Sequence, residues 1–70
     1  MTGNEMQNSM HTLGVTVADM ARRCGTTRPT VYSLLDRGAE ALPEKWQAPV
    51  ASVLDAARAE LAERLASVQA

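Results

Sequence analysis

Residues 16–38 carry the feature that most constrains the fold, two short helical patterns separated by a glycine-containing turn. Thr16 can cap a first helix through its hydroxyl, and Gly25 can end that helix because glycine readily adopts the left-handed conformation. Thr27 can cap a second helix, whose first turn accommodates Pro29 because an N–H there has no helical partner. The sequence therefore predicts two helices that reverse direction over about three or four residues.

Apolar residues in this stretch recur at helical spacing, which predicts the buried side of each helix. Ala21 has to be small because the second helix crosses the first there. Apolar and polar residues alternate with a period of two nowhere in the chain, so the predicted fold class is all-α. The expected inward-facing residues are Val17, Met20, Ala21 and Cys24 in the first helix and Val31, Leu34 and Leu35 in the second.

Helical patterns also flank this pair. Residues 1–3 have no pattern and are expected to be frayed. Asn4 is a candidate N-cap for a first helix that Gly14 closes. Together with the two helices of residues 16–38, this first helix is expected to form a domain over residues 4–47.

The C-terminal part of the chain predicts a long helix. A short helical stretch is expected to open at Leu42-Pro43, and Pro49 should then kink or restart it. Beyond Pro49, apolar residues recur every three or four positions as far as Val68. This spacing predicts a long helix over residues 49–69.

Length and composition restrict the class of protein. A chain of 70 residues allows one small domain, which is marginally stable as an isolated monomer. Cys24 is the only cysteine, which excludes an internal disulfide and a cysteine-based zinc site. No apolar run approaches the length of a membrane span, and no signal-peptide pattern is present. We expect a cytoplasmic protein without a metal or other cofactor.

The stretch TVADMARRCGTTRPTVYSLLDRG resembles the Cro/C1-type class of phage and bacterial regulators, the lambda-repressor-like or XRE helix-turn-helix proteins. The resemblance covers about residues 4–54 and is sharpest over 16–38. It implies a small helix-turn-helix DNA-binding domain whose recognition helix, about residues 28–36, lies in the major groove. The chain departs from the class after Gly38, where one long alanine-rich helix replaces the usual compact final helices.

The outward side of the second motif helix carries residue types that read DNA. Positions 28 and 32 lie one turn apart, as do positions 29 and 33, and all four lie opposite Val31 and Leu34. An arginine at the exposed N-terminal end can donate two hydrogen bonds to a guanine edge. The predicted base contacts are Thr27, Arg28, Pro29, Tyr32 and Ser33.

Positive charge is concentrated in the same region. The chain has a net charge of −1, whereas residues 20–37 hold four arginines and one aspartate. Arginine and lysine side chains and the N-terminal amides of a helix both bind phosphate. The predicted phosphate contacts are Thr16, Val17, Arg22, Arg37 and Lys45.

Several of these charges have an alternative role. Arg23 follows Asp19 by one turn and should form a surface ion pair with it, whereas Arg22 has no such partner in the pattern. Arg37 could instead complement the dipole of the second motif helix. Asp36 could accept from a cytosine amino group or simply pair with Arg37. His11 and Cys24 are expected to be an ordinary surface side chain and a small buried residue.

The apolar face of the C-terminal helix predicts a homodimer. A helix this long extends beyond the rest of the domain, so its far end has nothing in its own chain to contact. The alternative is that the helix folds back over its own domain. The predicted dimer interface consists of Leu54, Ala57, Leu61, Leu65 and Val68.

These patterns predict a transcriptional repressor that binds an inverted-repeat operator as a homodimer, in many cases its own promoter. Its partners would be double-stranded DNA and a second copy, with no small-molecule ligand. The alternative is a helix-turn-helix-shaped protein-interaction module, such as a phage-type inhibitor or adaptor, that does not read DNA sequence. The sequence lacks nucleophile–base pairs and phosphate-binding loops, so we do not expect an enzyme.

Overall fold

The computed structural model describes residues 1–69, and this part of the chain forms four α-helices and no β-strand. The helices are α1 (Gly3–Leu13), α2 (Val17–Cys24), α3 (Arg28–Leu35) and α4 (Glu44–Gln69). The predicted all-α class is confirmed for these residues. None of the four helices has the length and hydrophobicity needed to cross a membrane.

The start of α1 is held by a capping box, so the prediction that residues 1–3 are frayed is wrong. The Thr2 hydroxyl accepts a hydrogen bond from the Glu5 backbone N–H at 3.2 Å. The Glu5 carboxylate in turn accepts from the Thr2 N–H at 2.9 Å. Thr2 is therefore the N-cap, and the predicted cap, Asn4, lies inside the helix.

Gly3 allows α1 to begin directly against the end of α3. A Cβ atom at this position would lie 2.8 Å from both the Leu34 carbonyl oxygen and the Gly38 nitrogen. The Gly3 N–H donates to the carbonyl oxygen of Glu40 at 3.2 Å. These contacts fasten the beginning of the chain to α3 and to the segment that follows it.

The predicted boundaries between α2 and α3 are confirmed. The Thr16 hydroxyl accepts from the Asp19 N–H at 3.1 Å, and Gly25 ends α2 in the left-handed conformation with φ of 66°. Thr27 precedes α3 as predicted, but its hydroxyl lies 3.1 Å from that of Thr30 and caps no backbone N–H. Local capping chemistry therefore sets the turn between the two helices.

The segment after α3 reverses the chain. α3 ends at Leu35, and Asp36 follows it as the C-cap. Gly38 has a positive φ of 61°, which favours glycine. The Arg37 guanidinium donates to the Ala41 carbonyl oxygen at 3.1 Å and closes this turn.

α4 is one helix that begins at Glu44, so the predicted start at residue 49 is wrong. Pro49 lies inside it, where its missing N–H removes one backbone hydrogen bond. Val50, Val53 and Leu54 follow directly and are buried. Because they pack into the core, their burial offsets the missing hydrogen bond and holds the helix continuous.

The core lies among all four helices, which contact one another in the pairs α1 with α3, α1 with α4, α2 with α3, and α2 with α4. The predicted inward faces of α2 and α3 are confirmed, because Met20, Ala21, Val31 and Leu34 are all buried. Val17, Cys24, Leu35 and Trp46 are partly buried against this core. The buried residues are Met6, Met10, Val15, Met20, Ala21, Val31, Leu34, Leu42, Val50, Val53, Leu54 and Ala57.

Candidate nucleic-acid interface

The outward side of α3 is exposed over its whole length. Val31 is fully buried and Leu34 is 4% exposed, whereas Tyr32 between them is 55% exposed. The packing of two aliphatic residues therefore fixes which side of α3 faces away from the core. The predicted base-contact residues Thr27, Arg28, Pro29, Tyr32 and Ser33 all lie on the exposed side.

An open groove runs between the N-terminal ends of α2 and α3. It brings together two predicted base contacts, Thr27 and Arg28, and two predicted phosphate contacts, Thr16 and Arg22. α2 ends at Gly25 in the left-handed conformation, and the chain turns there so that the start of α3 lies beside α2. The groove is lined by Thr16, Ala18, Asp19, Ala21, Arg22, Thr26, Thr27 and Arg28.

The groove also contains Asp19, which the sequence analysis considered only as an ion-pair partner of Arg23. The ion pair with Arg23 is present, with Asp19 Oδ2 3.7 Å from Arg23 Nε. Arg22 also pairs with Asp19, so the prediction that Arg22 lacks such a partner is wrong. Arg22, and to a smaller extent Arg23, hold the pKa of the Asp19 carboxyl below its ordinary value. The carboxylate therefore offsets part of the positive charge at the groove.

Other arginines of the basic region also have carboxylate partners. Arg23 donates to Glu60 of α4, and this contact raises the pKa of the Arg23 guanidinium. Arg37 pairs with Glu40 at 3.8 Å, not with Asp36 as considered from the sequence. Within residues 1–69, Arg28 is the arginine of this region that has no ion pair, and it is exposed at the start of α3.

The remaining predicted phosphate contacts lie at different places. Val17 is partly exposed in the first turn of α2, beside Thr16. Lys45 is exposed in the first turn of α4 and does not line the groove. The structure thus brings Thr16, Val17 and Arg22 close to α3 but leaves Lys45 apart from them.

A second concave patch adjoins the groove and contains His11, which the sequence analysis took for an ordinary surface side chain. It forms where the end of α1, the start of α2 and the outer side of α3 meet, and His11 lines it with Thr16, Val17 and Tyr32. His11 lies in the last turn of α1, shortly before Thr16 in sequence. That proximity to the Thr16 cap is the signal by which the sequence could have indicated it.

Cys24 is partly buried and does not belong to either concave surface. Burial raises the pKa of its thiol, and the thiol donates to the Met20 sulfur at 3.5 Å. A thiol with a raised pKa is a poor nucleophile at neutral pH, which agrees with a packing role. Among the described residues, no group of three or more His, Cys, Asp and Glu side chains could hold a metal ion.

The predicted dimer interface is divided between the core and the exposed end of α4. Leu54 and Ala57 are 2% and 6% exposed, so their assignment to an interface is wrong, since they already pack against their own domain. Leu61 is partly buried, while Leu65 and Val68 are 54% and 83% exposed. The end of α4 beyond Leu61 therefore presents an uncovered apolar face.

Comparisons with protein-family models, with curated proteins and with solved structures find no match to this chain.

Proposed function

We propose that this protein is a sequence-specific DNA-binding transcriptional repressor in which α3 is the recognition helix. The observation that carries the proposal is the orientation of α3, whose buried Val31 and Leu34 leave Arg28, Tyr32 and Ser33 exposed. An α-helix with its side chains is about 10–12 Å in diameter, and the major groove of B-DNA is about 12 Å wide. α3 therefore has a suitable size and side-chain chemistry to enter that groove.

Arg28 is the principal base-reading residue in this proposal. It begins α3, is exposed, and has no ion pair within residues 1–69 that would compete with DNA. A guanidinium can donate two parallel hydrogen bonds to guanine O6 and N7. Tyr32, one turn along α3, would contact a thymine methyl group or a phosphate oxygen.

Phosphate contacts would hold α3 in register on the duplex. Thr16 and Val17 begin α2, whose N-terminal amides and dipole favour an anion. Arg22 lines the groove between α2 and α3 and is exposed. Its pair with Asp19 is a surface ion pair of little net stability, so a phosphate can compete with the carboxylate for it.

The uncovered end of α4 would pair with a second copy of the chain. Leu61, Leu65 and Val68 form one face there, and burying it between two protomers removes apolar surface from water. Glu60 and Arg64 flank this face one turn apart. In an antiparallel pair the same flank meets in both copies, so Arg64 of one protomer would approach Glu60 of the other, whose carboxylate also accepts from Arg23 of its own chain.

A homodimer implies an operator with inverted-repeat symmetry. The two α3 helices would enter successive major grooves, with half-site centres separated by about 10–10.5 bp. Repression would follow when the operator overlaps a promoter and the bound dimer excludes polymerase, in the simplest case at the protein's own gene.

Selection of bound sequences from a pool of random duplexes tests the proposal directly. We expect a symmetric site and an affinity that falls steeply with added salt. Arg28→Ala should weaken binding to the selected site by about 1–3 kcal/mol and relax the preference at one base pair of each half-site.

The matched control for this experiment is Arg58→Ala, which removes an exposed arginine from α4 that is paired with Asp55 at 3.0 Å. The control should retain wild-type affinity and base preference. If Arg28→Ala behaves like the control, α3 is not the recognition helix.

The pairing of Arg22, Arg23 and Arg37 with carboxylates favours a second candidate, a protein-interaction module that does not read DNA sequence. In that case the exposed side of α3 would contact a protein. Recovery of no preferred duplex, together with weak binding that competitor DNA of any sequence abolishes, would favour this candidate over the repressor.

A further inference from the structure

His11 occupies the same concave patch as three residues of the proposed DNA-binding surface, Thr16, Val17 and Tyr32. The patch brings the last turn of α1 against the start of α2 and the outer side of α3. His11 is exposed, and its imidazole forms no hydrogen bond with the described residues. The ring is therefore free to contact a group that approaches α3 from outside.

Among residues 1–69, no Asp, Glu, Lys or Arg side chain lines the patch around His11. The other lining residues are Gln7, Met10, Val15 and Leu35, and Tyr32 is the one further titratable group among them. Asp19 in the first turn of α2 is held by Arg22 and Arg23, and α4 contributes no residue to the patch. A positive charge on the ring thus has no carboxylate beside it in this patch.

We infer that protonated His11 contacts a phosphate of the bound duplex, so that α1 contributes to DNA binding and the affinity depends on pH. This inference rests on the proposed function. An imidazolium has two N–H donors, either of which can bond a phosphate oxygen. His11 thereby adds a charge to a surface on which several arginines are already paired with carboxylates.

The affinity for DNA depends on pH in a direction set by the form of the His11 ring that a phosphate stabilises. A histidine side chain gains its proton between about pH 5 and 8. Because phosphate favours the charged ring, affinity increases as the pH falls through this range.

The test measures affinity for the selected duplex across about pH 5.5–8 at constant ionic strength, a range in which histidine titrates. His11 is the only histidine of the chain, which makes its substitution specific. We expect wild-type binding to be about two- to fivefold tighter per protomer at the acidic end, the range measured for exposed charge pairs. At the acidic end, the slope of log K against log salt concentration should also be steeper by about 0.9 per protomer.

Three variants separate this contact from other effects. His11→Gln should bind with the weaker, alkaline-end affinity at every pH. His11→Lys retains its charge throughout and should bind more tightly without the pH dependence. Thr12→Gln, a matched control at an exposed neighbouring position that does not line the patch, should behave as wild type.

Two results would overturn the inference. Equal pH dependence in His11→Gln and wild type would assign the effect to another group. Strong, sequence-specific wild-type binding that does not change with pH would overturn the His11 contact and leave the proposed function intact. Absence of binding at every pH would overturn both.

Discussion

The guanidinium of Arg23 donates to both carboxylate oxygens of Glu60, at 3.4 and 3.3 Å, and so joins α2 to α4. The Asp19 carboxylate approaches the same guanidinium at its Nε, 3.7 Å away. Arg23 therefore connects α2 to α4, the helix that carries the exposed apolar face. This connection adds to the packing of α2 against α4 and links the candidate DNA-binding surface to the candidate dimer surface.

Removing this connection should destabilise the fold in a salt-dependent way. Glu60→Ala should lower the free energy of unfolding, and the loss should shrink with added salt because exposed ion pairs are screened. Urea denaturation at low and high salt measures the effect. Glu63→Ala is the control, since Glu63 is exposed on the same helix and forms no ion pair with the described residues. Equal losses in the two variants would show that the Arg23 contact does not stabilise the protein.

Gly3→Ala should destabilise the protein because the added Cβ meets backbone atoms of α3 and of the following turn at 2.8 Å. Overpacking of this kind destabilises by about 1–3 kcal/mol, although alanine favours helix more than glycine does. The measurement is equilibrium denaturation. Asn8→Ala, at an exposed position of the same helix, should be neutral or slightly stabilising. A stabilised Gly3→Ala would contradict the close approach of α1 and α3.

Leu54 and Leu65 lie on the same face of α4 but should respond differently to truncation. Leu54→Ala should cost about 2–5 kcal/mol of unfolding free energy because it opens a cavity in the core. Leu65→Ala should change the unfolding free energy at low protein concentration by less than about 0.5 kcal/mol. It should instead reduce the dimer fraction measured by sedimentation equilibrium. A monomeric wild type at micromolar concentration would remove the dimer proposal.

Acid should weaken the contribution of Asp19 to stability. The pKa of Asp19 is lowered from its ordinary value of 3.8, first by the hydrogen bond from Arg22 and then by Arg23. Its contribution is fully present above the unfolded-state value and is lost as the pH falls through the lower folded-state pKa. The difference in unfolding free energy between wild type and Asp19→Asn should therefore be constant near neutral pH and shrink below about pH 3.8.

The control for the acid experiment is Asp36→Asn, an exposed position without an ion pair in the described part of the chain. It should leave the pH dependence of unfolding close to that of wild type. A difference between wild type and Asp19→Asn that stays constant to the lowest pH would contradict the role assigned to Arg22.

The short helices were predictable because their determinants are local. Thr16 and Gly25 act on backbone groups within a few residues, so their types and spacing specify the two ends of α2, while Thr27 precedes α3 without a side-chain cap. The inward faces of both helices followed from spacing alone, since residues three and four apart share one side of a helix. The exposure of Arg28 and Tyr32 is the direct consequence.

The sequence by itself thus determined the all-α character and which side of α3 is exposed. Tertiary packing decided where the face of α4 passes from core to surface, between Ala57 and Leu65, because helical periodicity is the same on either side of that point. It also decided that Arg23 reaches Glu60 and that Gly3 meets α3. These contacts join residues distant in sequence, and their formation depends on how the helices pack together.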